Sequence, residues 1–152
     1  MNASRFVIAA AVMALFLVGA GAASAASRPP TRGATVATGP SGLGRILVDG
    51  RGRTLYLFEK DKKGQSACSG VCAAYWPPLV ASGKWIAIKG VKQSLLASIR
   101  RGDGSRQVTY AGHPLYLFSG DAKRGQTNGE GLTDFGAGWY ALNAAGKKID
   151  RD

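Results

Sequence analysis

Two cysteines, one histidine and nine carboxylates are the residues of this 152-residue chain with the means to do chemistry. Cys68 and Cys72 stand four apart. In an oxidising compartment a lone pair of cysteines forms a disulfide, and one helical turn brings the two Cα atoms to ~6 Å, within disulfide range. Redox catalysis favours C-x-x-C, and covalent haem attachment requires C-x-x-C-H. Here three residues intervene and Ala73 follows, so the pair reads as structural. Asp121, Asn128, Glu130 and Asp134 offer oxygen donors that suit a hard cation such as Ca²⁺, but not at EF-hand spacing. Against that reading, an Asp at a strand end bonds to the backbone of the turn that follows, and the matching stretch after Asp61 carries Lys62 and Lys63. His113, in a Gly-His-Pro turn, has no Cys or carboxylate at ligand spacing. No Ser-His-Asp or Cys-His arrangement and no phosphate-binding glycine loop appears. The expectation is therefore no catalytic residues, no metal and no cofactor.

The elements that would position these groups are organised around a repeat. Leu55-Tyr56-Leu57-Phe58-Glu59-Lys60-Asp61 recurs sixty positions later as Leu115-Tyr116-Leu117-Phe118-Ser119-Gly120-Asp121, and such self-similarity is the mark of a duplicated unit. In a strand, Leu55 and Leu57 face one side while Tyr56 and Phe58 face the other. Both sides are apolar, so each heptad is a strand covered on both faces. Arg45 to Asp49 reads as a strand turned by Asp49-Gly50 into Thr54 to Phe58. Arg106 to Tyr110 turns likewise into Pro114 to Phe118, and Ser94 to Arg101 reads as the strand before it. Lys84 to Ile88 is a further strand. Val71 to Trp76 suits a short helix stopped by Pro77. Each heptad is followed by a polar loop and a Trp-led segment, Trp76 to Leu79 and Trp139 to Leu142. Tyr56, Phe58, Tyr116, Phe118, Trp76 and Trp139 could form a stacking platform for sugars or bases, with Trp76 and Trp139 as binding residues. Strand spacing favours the core instead. The fold expected is mainly all-β: two related β-meander repeats sharing one core, with a short helical turn after the first.

Residues 1–25 carry Arg5, an apolar run from Phe6 to Ala20 and the small-residue ending Ala23-Ser24-Ala25, the pattern of a secretory signal peptide cleaved after Ala25. Residues 26–42, rich in Ala, Thr, Gly, Pro and Ser, read as a disordered lead-in. Residues 43–145 read as one domain, with repeats at about 43–80 and 105–143, and residues 146–152 as a charged tail. No later segment is long and apolar enough to span a bilayer. Beyond residue 25 the chain holds 19 Lys and Arg against 9 Asp and Glu, a net charge of +10. Such a field attracts polyanions and anionic surfaces, although the charges are scattered and no run of like charges marks a specific nucleic-acid site.

The motifs also carry a resemblance. Tyr56-Leu57-Phe58-Glu59-Lys60-Asp61 and Tyr116-Leu117-Phe118-Ser119-Gly120-Asp121 both read Y-x-(FWY)-x-x-D. Cys68-Ser69-Gly70-Val71-Cys72-Ala73-Ala74-Tyr75-Trp76-Pro77-Pro78-Leu79 resembles a C-x-G-x-C-A-x-x-W-P-P-L signature, and Gln107 to Tyr116 a Q-V-T-Y-x-G-x-P-L-Y segment. Over about residues 43–143 the chain is similar to the bacterial secreted-repeat family of predicted lipoproteins with the Y-x-(FWY)-x-x-D motif. The resemblance implies an exported tandem-repeat protein with no established activity. This chain lacks the lipobox cysteine through which a lipoprotein is tethered. The function expected is a non-enzymatic, periplasmic or secreted binding module whose basic surface meets anionic lipids or envelope polyanions. The alternatives are a redox or metal- or haem-handling protein using Cys68 and Cys72, and a structural envelope protein whose charge serves solubility.

Overall fold

The computed structural model describes residues 33–150. The signal-peptide reading and residues 26–32 of the lead-in lie outside the described residues. Among them the chain is built from short strands: β1 (Thr35–Ser41), β2 (Gly44–Asp49), β3 (Tyr56–Phe58), β4 (Ile86–Ala87), β5 (Leu96–Arg100), β6 (Arg106–Tyr110), β7 (His113–Pro114) and β8 (Trp139–Ala141). One helix, α1 (Val71–Tyr75), is a single turn ended before Pro77, where proline's ring clashes with helical backbone. A 3₁₀ turn at Gln93–Leu95 leads into β5. The sheets run β2-β1-β4, β3-β8 and β5-β6-β7, and isolated bridges join them. The chain is the all-β, two-repeat domain that the heptads imply.

The leading hairpins of the two repeats correspond in register. β1 pairs with β2 so that Ala37 faces Val48 and Gly39 faces Ile46. β5 pairs with β6 so that Ala97 faces Thr109 and Ile99 faces Gln107. The second repeat therefore starts near Leu96 rather than 105, and the first near Thr35 rather than 43. The lead-in reading fails over 35–42 for a physical reason. β1 has few large side chains, but pairing with β2 satisfies its backbone, and Val36 and Ala37 are buried by small size and close approach. The tail reading fails as well: Ile149 N–H donates to the Ala141 carbonyl at 2.8 Å, and Lys148 Nζ lies 2.9 Å from Glu59 Oε1 and 2.8 Å from Asp150 Oδ2.

The two meanders are not self-contained. The heptads meet antiparallel at their tyrosines: Tyr56 N–H donates to the Tyr116 carbonyl at 2.9 Å and Tyr116 N–H to the Tyr56 carbonyl at 3.0 Å. The Trp-led segments then cross over. β8, from the second repeat, pairs with β3 of the first, setting Phe58 opposite Trp139. The first repeat's segment lies beside the second heptad, where Leu117 N–H donates to the Pro77 carbonyl at 2.8 Å and Ser119 N–H to the Tyr75 carbonyl at 2.9 Å. Four short strands thus lie side by side, related by a pseudo-twofold axis between Tyr56 and Tyr116, and each repeat completes the other.

The alternation inside the heptads divides the core. Leu55, Leu57, Leu115 and Leu117 join Val36, Leu47, Val108 and Tyr110 on one side. Tyr56, Phe58, Tyr116, Trp76, Trp139 and the two cysteines fill the other. β1, β2 and β4 pair within the first half and β5, β6 and β7 within the second. Each heptad and each Trp-led segment, however, takes its neighbour from the other half, so neither half can complete the central ladder, and small sheets with an uncovered face are marginal in water. Fragments covering 33–90 and 91–150, prepared separately, are expected to give the narrow amide-proton dispersion of unfolded chains, while the full domain gives a dispersed spectrum. A folded spectrum from either fragment alone would contradict the exchange.

Candidate functional site

The motif residues converge at the pseudo-twofold axis. Tyr56 O–H donates to Asp121 Oδ2 at 2.7 Å, and Tyr116 O–H donates to Asp61 Oδ2 at 2.8 Å. Each tyrosine therefore reaches the aspartate of the opposite repeat. The second oxygen of each carboxylate closes the following loop: Asp61 Oδ1 accepts from Ala67 N–H at 2.7 Å and Asp121 Oδ1 from Asn128 N–H at 2.9 Å. The turn-closing role expected of the two aspartates is present. The crossing to tyrosine was missed, although two identical tyrosine-to-aspartate spacings in one chain were its signal.

Around these pairs the aromatic rings form a buried stack. Trp76 and Trp139 lie 3.9 Å apart at 6°, with Phe58 stacked on Trp139 at 4.0 Å and Phe118 tilted on Trp76 at 4.3 Å. Tyr56 sets its edge against Trp76 at 5.3 Å, and Tyr116 against Trp139 at 5.2 Å. Such pairs add ~0.5–1.5 kcal/mol each beyond the area they bury. Both tryptophans are fully buried, so the platform reading is corrected: Trp76 and Trp139 are core, closed to any ligand. Gly129 crosses this stack where a Cβ would lie 2.6 Å from Trp76 Cη2, so only glycine fits there.

The halves differ in how they hold their tyrosine. In the second repeat's loop, Gly129 N–H donates to Tyr56 Oη at 3.3 Å. In the first, Ser66 Oγ lies 2.7 Å from Tyr116 Oη, and Arg101, a residue the sequence reading did not single out, sits beneath. Its Nη1 donates to Ser66 Oγ at 2.9 Å and Gln107 Oε1 at 2.6 Å, and its Nη2 to the Cys68 carbonyl at 2.6 Å. Tyr116 gives its proton to Asp61, and Ser66 Oγ, which contacts both Tyr116 Oη and, at 3.2 Å, the Cys68 carbonyl, links the guanidinium to this pair. The disulfide Cys68–Cys72, with Cα atoms 5.3 Å apart, is buried at the end of this network. Closing so short a loop stabilises by about 2 kcal/mol on the chain-entropy account.

Of the four oxygen donors considered for a cation, several are engaged within the fold. Asp121 is taken by Tyr56 and Asn128, Glu130 Oε2 accepts from Ala141 N–H at 2.7 Å, and the Asp134 carbonyl receives Trp139 Nε1–H at 3.0 Å. Among the described residues no three His, Cys, Asp or Glu side chains come together as a metal site. His113 is half-buried beside Asp61, Lys62 and Lys63, and burial lowers its pKa.

The geometry defines a pseudo-symmetric, two-repeat β-domain in which paired Tyr–Asp contacts weld the halves. Residues 37–80 and 97–143 match the family described as a secreted repeat of unknown function. These segments make up more than half of the chain, and the protein belongs to that family. No curated protein and no solved structure matches it. No helix among the described residues is long and apolar enough to cross a membrane.

Burial is the leading cause that raises the pKa of both Asp61 and Asp121 above the ordinary 3.8, against the lowering effect of their tyrosine and backbone donors. Burial, then the facing carboxylate, raises Tyr56; burial leads for Tyr116 as well. A carboxyl whose folded pKa is raised binds its proton more tightly folded than unfolded. Its contribution to stability is fully present below 3.8 and is lost as pH rises through the raised folded value. Comparing urea midpoints of the native chain and the Asp61→Asn, Asp121→Asn variant across pH, the native chain's relative stability is expected to be highest below pH 3.8 and to fall as pH rises. A relative stability that instead climbs with pH would show that hydrogen bonding outweighs burial at these carboxyls.

Proposed function

We propose that this secreted repeat is a non-enzymatic binding module of the bacterial envelope whose basic surface engages anionic lipids or envelope polyanions. The observation that carries the reading is the imbalance of counter-charge. Exposed bases such as Lys62, Lys63, Lys89, Lys92, Lys123 and Arg124 form no ion pair among the described residues, where the ion pairs involve only Arg53, Arg101 and Lys148. Several carboxylates that would neutralise them are turned to other work: Asp61 and Asp121 to the tyrosines, Asp49 to Arg53 at 2.7 Å, Glu59 to Lys148 at 2.9 Å. Unbalanced positive charge leaves a net attractive field for anionic surfaces.

The same engagement supports a non-enzymatic role. The motif's hydroxyls and carboxylates are spent on each other, and the cysteines on a buried disulfide, so redox or metal chemistry at Cys68 and Cys72 requires the domain to open first. Cleavage of the signal peptide after Ala25 completes the reading, with no lipobox cysteine to tether the product.

Cosedimentation with phosphatidylglycerol vesicles and with pure phosphatidylcholine vesicles tests the surface. Retention is expected on the anionic vesicles alone, strongest near 0.01 M ionic strength, where the Debye length is ~30 Å, and lost near 1 M, where it is ~3 Å. Retention that survives high salt, or none at low salt, would leave the charge as a solubility device. The intact mass of the protein recovered from the envelope fraction is expected to correspond to a chain starting at Ala26; a mass that retains residues 1–25 would show an uncleaved anchor.

A further inference from the structure

The hollow that β1 shares with its two neighbours is larger than the one at the corresponding place in the second repeat, where a cavity of about 210 Å³ is lined by Ser66, Arg100 and Arg101. β4 runs parallel to β1, with Thr35 opposite Ile86 and Val36 opposite Ala87. The pairing continues as Ile88 N–H donates to the Val36 carbonyl at 2.9 Å and Thr38 N–H to the Lys89 carbonyl at 3.3 Å. This register sets Ile88, Ala37 and Val48 in a row on one face of the sheet. Beside them Gly39 contributes no side chain, and a cavity of about 400 Å³ results. That size falls in the range of small-molecule sites, ~300–1,000 Å³.

Two cations border it. Arg124 is carried by the loop after Asp121, which docks through a hydrogen bond from Gly125 N–H to the Gly52 carbonyl at 3.1 Å. Its guanidinium lies where a Cβ on residue 52 would stand, 2.5 Å from that position. Lys89 lines the opposite rim. It holds a left-handed backbone, φ 49°, its carbonyl tied by both the amide and the hydroxyl of Thr38. Such a conformation is costly for a residue with a side chain. Neither cation has a hydrogen bond or ion pair from its side chain among the described residues. The acid at the edge, Asp49, is occupied by Arg53 and by the Arg51 and Arg53 amides.

The second repeat is the internal control. At the positions of Gly39 and Ser41 it places Ile99 and Arg101. There the guanidinium of Arg101 is buried in hydrogen bonds to Ser66, Gln107 and Cys68, and among the described residues no strand takes the place of β4. One copy of this sheet face is filled from within by an arginine. The other keeps the larger cavity, in which the exposed Ile88 lies beside the largely buried Ala37 and Val48 and two cations without an ion pair among the described residues stand at the border.

We propose that this hollow binds an anionic amphiphile, an acyl chain bearing a carboxylate or phosphate head, with the chain on Ala37, Val48 and Ile88 and the head between Lys89 and Arg124. The apolar floor has no use for a bare anion, and the cations none for a neutral chain. The site is discrete and stands independently of the whole-surface reading above.

The test uses the mature chain with octanoate and octyl phosphate as probes, octanol as the neutral control, and acetate and inorganic phosphate as head groups alone. Calorimetry and amide chemical shifts are the readouts. Expected are saturable binding of one or both charged octyl probes, shifts centred on Ala37, Val48 and Ile88, and binding at least tenfold weaker for octanol and the bare heads. Preference between the two charged probes identifies the head group. The Lys89→Gln, Arg124→Gln variant and the Ile88→Asp variant, each checked for an unchanged amide spectrum elsewhere, are expected to weaken binding at least tenfold. Lys62→Gln with Lys63→Gln removes the same charge elsewhere and is expected to leave the octyl probes unaffected while weakening vesicle retention. Binding that fails for both octyl probes, maps to another face, is matched by octanol, or falls equally in the Lys62/Lys63 variant would overturn the proposal, whatever the vesicle result.

Discussion

Everything in this domain depends on one contact: the antiparallel meeting of the two heptads at Tyr56 and Tyr116. A pair of backbone hydrogen bonds fixes the axis, and each tyrosine then passes its hydroxyl to the far aspartate. Since the aspartate also closes its own loop, loop, strand and opposing strand are tied at one carboxylate. A buried tyrosine hydroxyl without an acceptor costs ~1–3 kcal/mol, more where the partner left behind is charged. A register slip of one residue would turn both tyrosines to the leucine side of the sheet and strand both aspartates. The motif Y-x-(FWY)-x-x-D is thus a register lock, and its third position is the stacking ring: Phe58 lies on Trp139 and Phe118 on Trp76.

Much of this was legible in the sequence because periodicity reports faces. The alternation in L-Y-L-F placed leucines and aromatics on opposite sides of the strand, and Pro77 placed the end of α1. The repeat itself announced a shared core. What periodicity does not report is the partner. Nothing in Trp139-Tyr140-Ala141 distinguishes a strand that returns to its own hairpin from one that crosses to the other. Two further stretches were misread for a related cause. β1 buries Ala37 and Gly39 rather than large apolar side chains, and 146–150 is folded by a backbone ladder and by Lys148 between Glu59 and Asp150. Composition sees neither, because ladder pairing is paid for by the backbone and not by side-chain type. Arg101 escaped for the opposite reason: an arginine next to another arginine at a strand end reads as solvated, yet its side chain is 6% exposed.

Pseudo-symmetry also separates structural from specialised residues within a single molecule. Features present in both halves, the Tyr–Asp crossing and the Trp–Phe stacks, are what the fold requires. Features present in one half are free of that requirement. The disulfide, Ser66 and Arg101 form one such set, packed against the second repeat's sheet. In the first repeat the corresponding set is Gly39, Ser41 and the Arg124 loop, joined by β4, which has no equivalent among the described residues. The Trp76 indole N–H, buried without an acceptor while that of Trp139 has one, shows that symmetry is not enforced where the fold can tolerate its loss.

This asymmetry has a charge consequence. In the filled half a buried guanidinium is held by Ser66, Gln107 and the Cys68 carbonyl, with Asp103 at 4.0 Å from its Nε, and a buried charge without such partners would be strongly destabilising. In the open half the cations stand at the rim, where solvent carries the cost and no carboxylate is needed. A duplicated fold that kept an arginine in both hollows would need a second Ser66 and a second turned loop to satisfy it. Placing glycine at residue 39 and moving the cations outward removes that demand and leaves a cavity bordered by Lys89 and Arg124.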